Sequence, residues 1–266
     1  MQALLSRMDV RRNRSHKYAV LANSVPKAGT HLLLKSLASL PGLSEAGVHV
    51  DMRLDPGSLK RTLRTVESGG VVTGHLAGFK RYVRALKASG FKTFLIIRDP
   101  RDVAVSAVAY ILKLREHHLH DYFHTYLLTN HARLMAIIRG VPQKVAGGWR
   151  VGRRDINEYY RIFMPWFDEK SNCVVRFEAL IGPKGGGDCG RQFDEIRRVV
   201  KHLQIDLSEI ELTRLADAIF DPGVATFRRG AIGDWRNHFS EEHKIVFKEV
   251  AGQLLIDLGY EQDLNW

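Results

Sequence analysis

Cysteine is scarce in this chain of 266 residues: Cys173 and Cys189 are the only two, and neither sits at a zinc-site spacing. A disulfide framework and a cysteine-built metal centre are therefore excluded as organising principles, and a reducing compartment is expected. Long hydrophobic runs are missing too. No stretch of 18 apolar residues exists to cross a bilayer as a helix. At the N-terminus a short apolar patch precedes four arginines, the reverse of a secretory signal, so a cytoplasmic protein is expected. Acidic residues fall short of basic ones, 29 against 40, leaving a formal charge of +11. That balance suits nucleic acid, an anionic membrane surface or a polyanionic small ligand, without choosing among them. Neither an RNP-like aromatic strand nor a zinc finger occurs, so no nucleic-acid partner is expected, while a peripheral membrane contact stays open.

What is present is an ordinary globular composition, 45% hydrophobic and 26% charged. Apolar runs at 17–25 (KYAVLANSV) and 92–97 (KTFLII) read as buried parallel strands, with shorter ones at 70–74 (GVVTG) and 172–177 (NCVVRF). Helical patterns occupy 31–40, 56–67, 79–89, 100–115, 119–139, 156–167, 191–203, 208–220 and 241–258. This alternation predicts one α/β domain over 1–266, a parallel central sheet flanked by helices with a helical C-terminal half. Cys173 falls in a strand and Cys189 in a glycine-rich loop. Ligands of such sheets bind beyond the carboxyl ends of the strands, so SVPKAGT, HLAGF, RDPRD and EALIGPKGGG are expected to line one crevice. Segments 42–55 and 112–150 are expected to be loops that shape a second substrate's site.

The turn after the first strand, PKAGT, leads into a helix at about His31. Helix N-terminal N–H groups attract anions, and Lys27 adds a charge and Thr30 a hydroxyl. It is not an ATPase phosphate loop, in which the lysine follows the last glycine, because Lys27 precedes Gly29. In FLIIRDPRDVAVSAVAY, Asp99 is placed to cap a helix, Pro100 suits its first turn, and Asp102 lies three residues after the cap. Arg98 ends the strand, and Ser106 lies two turns along the helix from Asp99, so the two are placed to grip one phosphate. In TFRRGAIGDWRNHF, adjacent arginines and glycines make a loop able to wrap a polyanion.

Taken together, PKAGTH, RDPRDVAVS, FEAL and RRGAIGDWRNHF resemble the motifs of the sulfotransferases that use 3′-phosphoadenosine 5′-phosphosulfate, particularly the cytosolic branch and its bacterial relatives. The four occur in the family's order from residue 26 to 239, and the resemblance implies a P-loop-like fold. It also implies that Lys27, Ala28, Gly29, Thr30 and His31 surround the 5′-phosphosulfate. Arg98, Ser106, Arg228, Arg229 and Gly230 would take the 3′-phosphate, with Phe177 also at the nucleotide. His75, in VVTGHLAGF, would be the general base that activates an acceptor hydroxyl, with Lys27 at the opposite end of an in-line transfer. The co-substrate would be 3′-phosphoadenosine 5′-phosphosulfate, no metal would be needed, and the partner would be a hydroxyl-bearing small molecule, glycolipid or sugar.

Three departures stand out. Leu32 occupies the position of an adenine-stacking aromatic, Phe177 replaces a tyrosine, and RNHFSEEHKI lacks the family's dimer motif, leaving the oligomeric state open. A nucleotide-dependent phosphotransferase is the rival enzyme reading, and a basic nucleic-acid-binding protein the rival of another class. Four histidines between 117 and 124 read as a surface helix rather than a metal site.

Overall fold

The computed structural model describes residues 16–144, 152–220 and 231–266. These divide into two compact units: the described parts of 1–97 and 163–230, and those of 98–162 with 231–266.

The first unit holds the whole sheet. Its strands are β1 (Val20–Ser24), β2 (Ser44–Asp51), β3 (Gly70–His75), β4 (Lys92–Ile97) and β5 (Asn172–Arg176). They run parallel in the order β2-β3-β1-β4-β5. β1 is central and buried at every position, as its apolar run predicts. Burying each Val or Leu side chain there contributes about 1.5–3 kcal/mol. The helices of this unit are α1 (Thr30–Ala38), α2 (Pro56–Arg64), α3 (Lys80–Ala88), α8 (Phe177–Leu180), α9 (Cys189–Leu203) and α10 (Glu209–Ile219). The second unit contains α4 (Pro100–Lys113), α5 (His120–Thr125), α6 (Asn130–Arg139), α7 (Ile156–Arg161) and α11 (Glu241–Asp257). After β5 every described element is helical, as the sequence predicts.

Five differences from the sequence reading appear, and the first four have physical causes. Segment 42–55, read as a loop, contains the edge strand β2. Only Val50 of that strand is buried, so it carries no continuous apolar run to reveal it. The helix expected over 119–139 is two, because the Thr129 hydroxyl accepts from the Ala132 N–H and starts α6 afresh. The helix expected over 156–167 stops at Arg161, and a 3₁₀ turn at Met164–Trp166 follows, where Pro165 has no N–H to give. Cys189 opens α9 rather than lying in a loop, because Asp188 accepts from the Arg191 N–H and caps that helix. Segment 112–150, also read as a loop, holds α5 and α6.

Candidate active site

The sheet register sets the groups at the ends of β1 and β3. β1 and β3 are parallel neighbours with Asn23 opposite Gly74, so Ser24 and His75 finish adjacent strands. Asn23, 1% exposed, continues the pairing past the strand's end. Its Nδ2 donates to the Leu76 carbonyl and its Oδ1 accepts from the Leu76 N–H, each at 2.8 Å. The Trp166 indole N–H donates to the same carbonyl at 2.8 Å. Two residues further on, a Cβ at Gly78 would stand 2.8 Å from Pro165 Cβ and 2.9 Å from the Trp166 nitrogen. The chain leaving β3 is therefore clamped on both sides, and His75 is held at its head.

The turn between β1 and α1 is conformationally unusual. Lys27 has φ 73° and Gly29 φ 111°, both left-handed, and for Lys27 that is a costly state for a residue with a Cβ. Gly29 caps α1 and offers no side-chain acceptor to its first N–H groups. Such a terminus, with Lys27 two residues ahead, fits an anionic group. Phe177, 4% exposed, lies beneath the turn, and a Cβ at Gly29 would be 2.7 Å from its ring. Ala28 is fully buried.

A polar chain joins this turn to the histidine. Thr30 Oγ1 lies 2.6 Å from Ser24 Oγ, which lies 3.0 Å from His75 Nδ1. The Ser24 carbonyl stands 3.1 Å from the same nitrogen. A carbonyl can only accept, so Nδ1 carries the proton and Nε2 keeps its lone pair, assigned from the bond partners. Burial pulls the His75 pKa down to about 4, against a smaller upward pull from the Ser24 carbonyl; His49 and Lys27 add further lowering and Asp51 opposes it. His75 is thus neutral at pH 7. Lys27 acts on His31 as well, whose pKa is lowered first by burial and then by that charge.

In the second unit Asp99 caps α4 through the Arg101 N–H at 2.9 Å, as expected. Arg98 is buried and donates from Nη2 to the Ala231 carbonyl at 2.8 Å, with Asp102 Oδ2 at 3.6 Å. Its own carbonyl accepts from the Tyr160 hydroxyl at 2.6 Å. Asp102 accepts from the Gly233 and Trp235 N–H groups at 2.8 and 2.9 Å. Burial raises its pKa, and Arg98 and those two N–H groups pull the other way. Ser106 is half-buried on α4. Arg228, Arg229 and Gly230 lie outside the described residues.

The structure thus brings Lys27, Gly29, Thr30 and His75 into one polar neighbourhood, and anchors Arg98 beside the residue that follows Gly230. Sequence reasoning missed Asn23, Ser24 and Asp102 as supporting groups. A polar Asn-Ser pair closing an otherwise apolar strand was the available signal for the first two. It also missed His49, whose ring meets that of His75 at 4.9 Å between centroids. The histidines between 117 and 124 are bound to their surroundings: His118 to the Gly152 carbonyl, His124 to the Leu112 carbonyl and His120 to Asp121. No cluster of three or more His, Cys, Asp or Glu fit for a metal occurs among the described residues. No helix among them is long and apolar enough to cross a membrane.

No protein-family model and no curated protein sequence matches the chain. Solved structures do. The mouse sulfotransferase SULT7A1 complexed with PAP superposes with a TM-score of 0.65 at 20% identity, over 97% of this chain and 91% of that one. Retinol dehydratase in complex with androsterone and the inactive cofactor PAP gives 0.57 at 15% identity, over 96% and 86%. Retinol dehydratase in a complex with retinol and PAP gives 0.58 at 16%, with the same coverage. The α/β fold of this chain is the fold of those proteins.

Proposed function

We propose that the chain is a sulfotransferase that moves a sulfuryl group from 3′-phosphoadenosine 5′-phosphosulfate to an acceptor hydroxyl. The observation that carries this reading is the Thr30–Ser24–His75 chain. It joins an anion-ready helix N-terminus to a neutral histidine with a free Nε2. Support comes from the four motifs and from a fold shared with proteins crystallised with PAP.

In this reading Lys27, Gly29, Thr30 and His31 hold the 5′-phosphosulfate, with Ala28 and Phe177 supporting the turn from below. Arg98, Ser106, Arg228, Arg229 and Gly230 hold the 3′-phosphate. The donor supplies the sulfuryl group and a phosphate leaving group. His75 Nε2 takes the acceptor's hydroxyl proton, while the Lys27 ammonium stabilises the charge growing on the leaving oxygen. The Ser24 carbonyl keeps the His75 tautomer in the form that can accept. No step calls for a metal.

The test is incubation with labelled donor against a panel of alcohols, phenols, glycolipids and sugars, with mass spectrometry of the products. A mass gain of one sulfuryl group on an acceptor, without Mg²⁺, is the expected result. Transfer of phosphate from ATP in its place would replace the reading with a phosphotransferase.

A further inference from the structure

His49 belongs to none of the motifs and has no role above. It sits on the edge strand β2, where its Cα pairs with Thr73, two residues before His75. Its Nδ1 lies 3.0 Å from Thr73 Oγ1, and that hydroxyl donates to the Val48 carbonyl at 3.4 Å. The Thr73 oxygen is therefore the acceptor, His49 Nδ1 carries the hydrogen, and His49 Nε2 keeps a lone pair. His75 has the same arrangement, with Nδ1 committed to Ser24. The two rings meet edge to face at 69°. His75 is half-buried and His49 exposed, so the pair runs from the site's interior to solvent. The charged or titratable groups acting on His49 are Asp51, Arg53 and His31; on His75 they are His49, Asp51 and Lys27.

We propose that His49 is a positioning residue for His75, holding its ring by the edge-to-face contact and receiving the proton that His75 takes up. The inference rests on the sulfuryl-transfer reading. In that step the acceptor O–H bond breaks as its oxygen bonds sulfur. The S–O bond to the donor's phosphate breaks, and its electron pair leaves with the phosphate. The proton goes to His75 Nε2, then through one water to His49 Nε2, and from there to solvent. A half-buried imidazolium is expensive, and burial holds the His75 pKa at about 4, so this residue does not retain the proton at pH 7. An exposed neighbour with an open lone pair gives it somewhere to go.

His49→Phe keeps a ring for the contact but carries no proton. It should lower kcat about tenfold or more, leave affinity for adenosine 3′,5′-bisphosphate unchanged, and recover rate saturably when imidazole is added. A second readout needs neither donor nor acceptor. In ¹⁵N NMR titrations of the resting protein, the His75 signals should show two steps in the wild type and one in His49→Phe. A variant with wild-type kcat, or a loss that imidazole does not restore, would overturn the inference. A single-step His75 titration in an active wild type would overturn it while leaving the transfer reading intact. No product from the wild type, with the two-step titration preserved, would overturn the transfer reading and the proton passage with it, and would support only the positioning contact.

Discussion

The guanidinium carbon of Arg101 lies 4.1 Å from the centroid of the Trp235 ring. Trp266 covers it from another side at 4.4 Å, and the guanidinium nitrogens of Arg101 pair with Asp99 at 2.7 Å and Glu261 at 2.6 Å. At 2% exposure this is a buried cation, paired with two carboxylates, that ties the start of α4 to the GDW turn and the residues after α11. Arg101→Ala strands both carboxylates and should cost about 3–5 kcal/mol of unfolding free energy. Arg101→Lys should recover only part, since an ammonium lacks the planar, delocalised charge that sits over the Trp235 ring. Urea denaturation followed by tryptophan fluorescence checks both; an alanine variant within about 1 kcal/mol of wild type would contradict this role.

Asn23→Ala removes both bonds to Leu76 and leaves a buried N–H without its partner. A loss of about 1–3 kcal/mol is expected, together with a fall in kcat, because the head of β3 is no longer held. Thermal unfolding and turnover measured side by side should show both effects. A stable variant with normal turnover would mean that the Trp166 bond alone holds Leu76.

Lys27→Ala should reduce turnover on the order of 10²-fold while the protein remains folded. Gly29→Ala tests the backbone instead of the charge. Its Cβ would strike the Phe177 ring in a left-handed conformation, so both stability and turnover should fall. Steady-state kinetics and a melting curve on each variant separate the two causes.

His75 should make stability depend on pH in a definite direction. The unfolded chain takes a proton at this residue below about 6.5, and the folded chain only below about 4. Stability is therefore complete above pH 6.5 and falls as pH drops through that window, by about 3 kcal/mol from this residue. His75→Gln should flatten that slope in denaturation curves between pH 4 and 7. For the wild type, the acidic limb of kcat/KM should lie near pH 4. His75→Ala should lose most of kcat with unchanged affinity for adenosine 3′,5′-bisphosphate.

The 3′-phosphate assignment predicts that adenosine 3′,5′-bisphosphate binds far more tightly than AMP. Arg228→Ala should erase most of the difference, and Ser106→Ala a smaller share of it. Calorimetry with the two nucleotides decides this. Equal affinities in the wild type would remove Arg98, Ser106 and Arg228 from the nucleotide site, and tighter binding of ATP with Mg²⁺ would favour the phosphotransferase.

The sequence by itself determined the elements whose cause is local. β4 and most of β1 are short apolar runs of the kind a buried parallel strand carries. Asp99 and Pro100 start α4 through bonds made within one turn. The PKAGT turn declares itself through residues that permit or reward its backbone. Tertiary structure decided whatever depends on partners far along the chain. β2 lies at an edge where solvent accepts polar side chains, so its strand character comes from pairing with β3, about 25 residues away. Asn23 acts through Leu76, 53 positions on, and Asp102 through Trp235, 133 on. His49 meets His75 only because the register pairs it with Thr73, two residues before His75 on the neighbouring strand. A local pattern records the burial and backbone preference of a residue, whereas a contact between distant residues exists only once the sheet and the packed helices have closed.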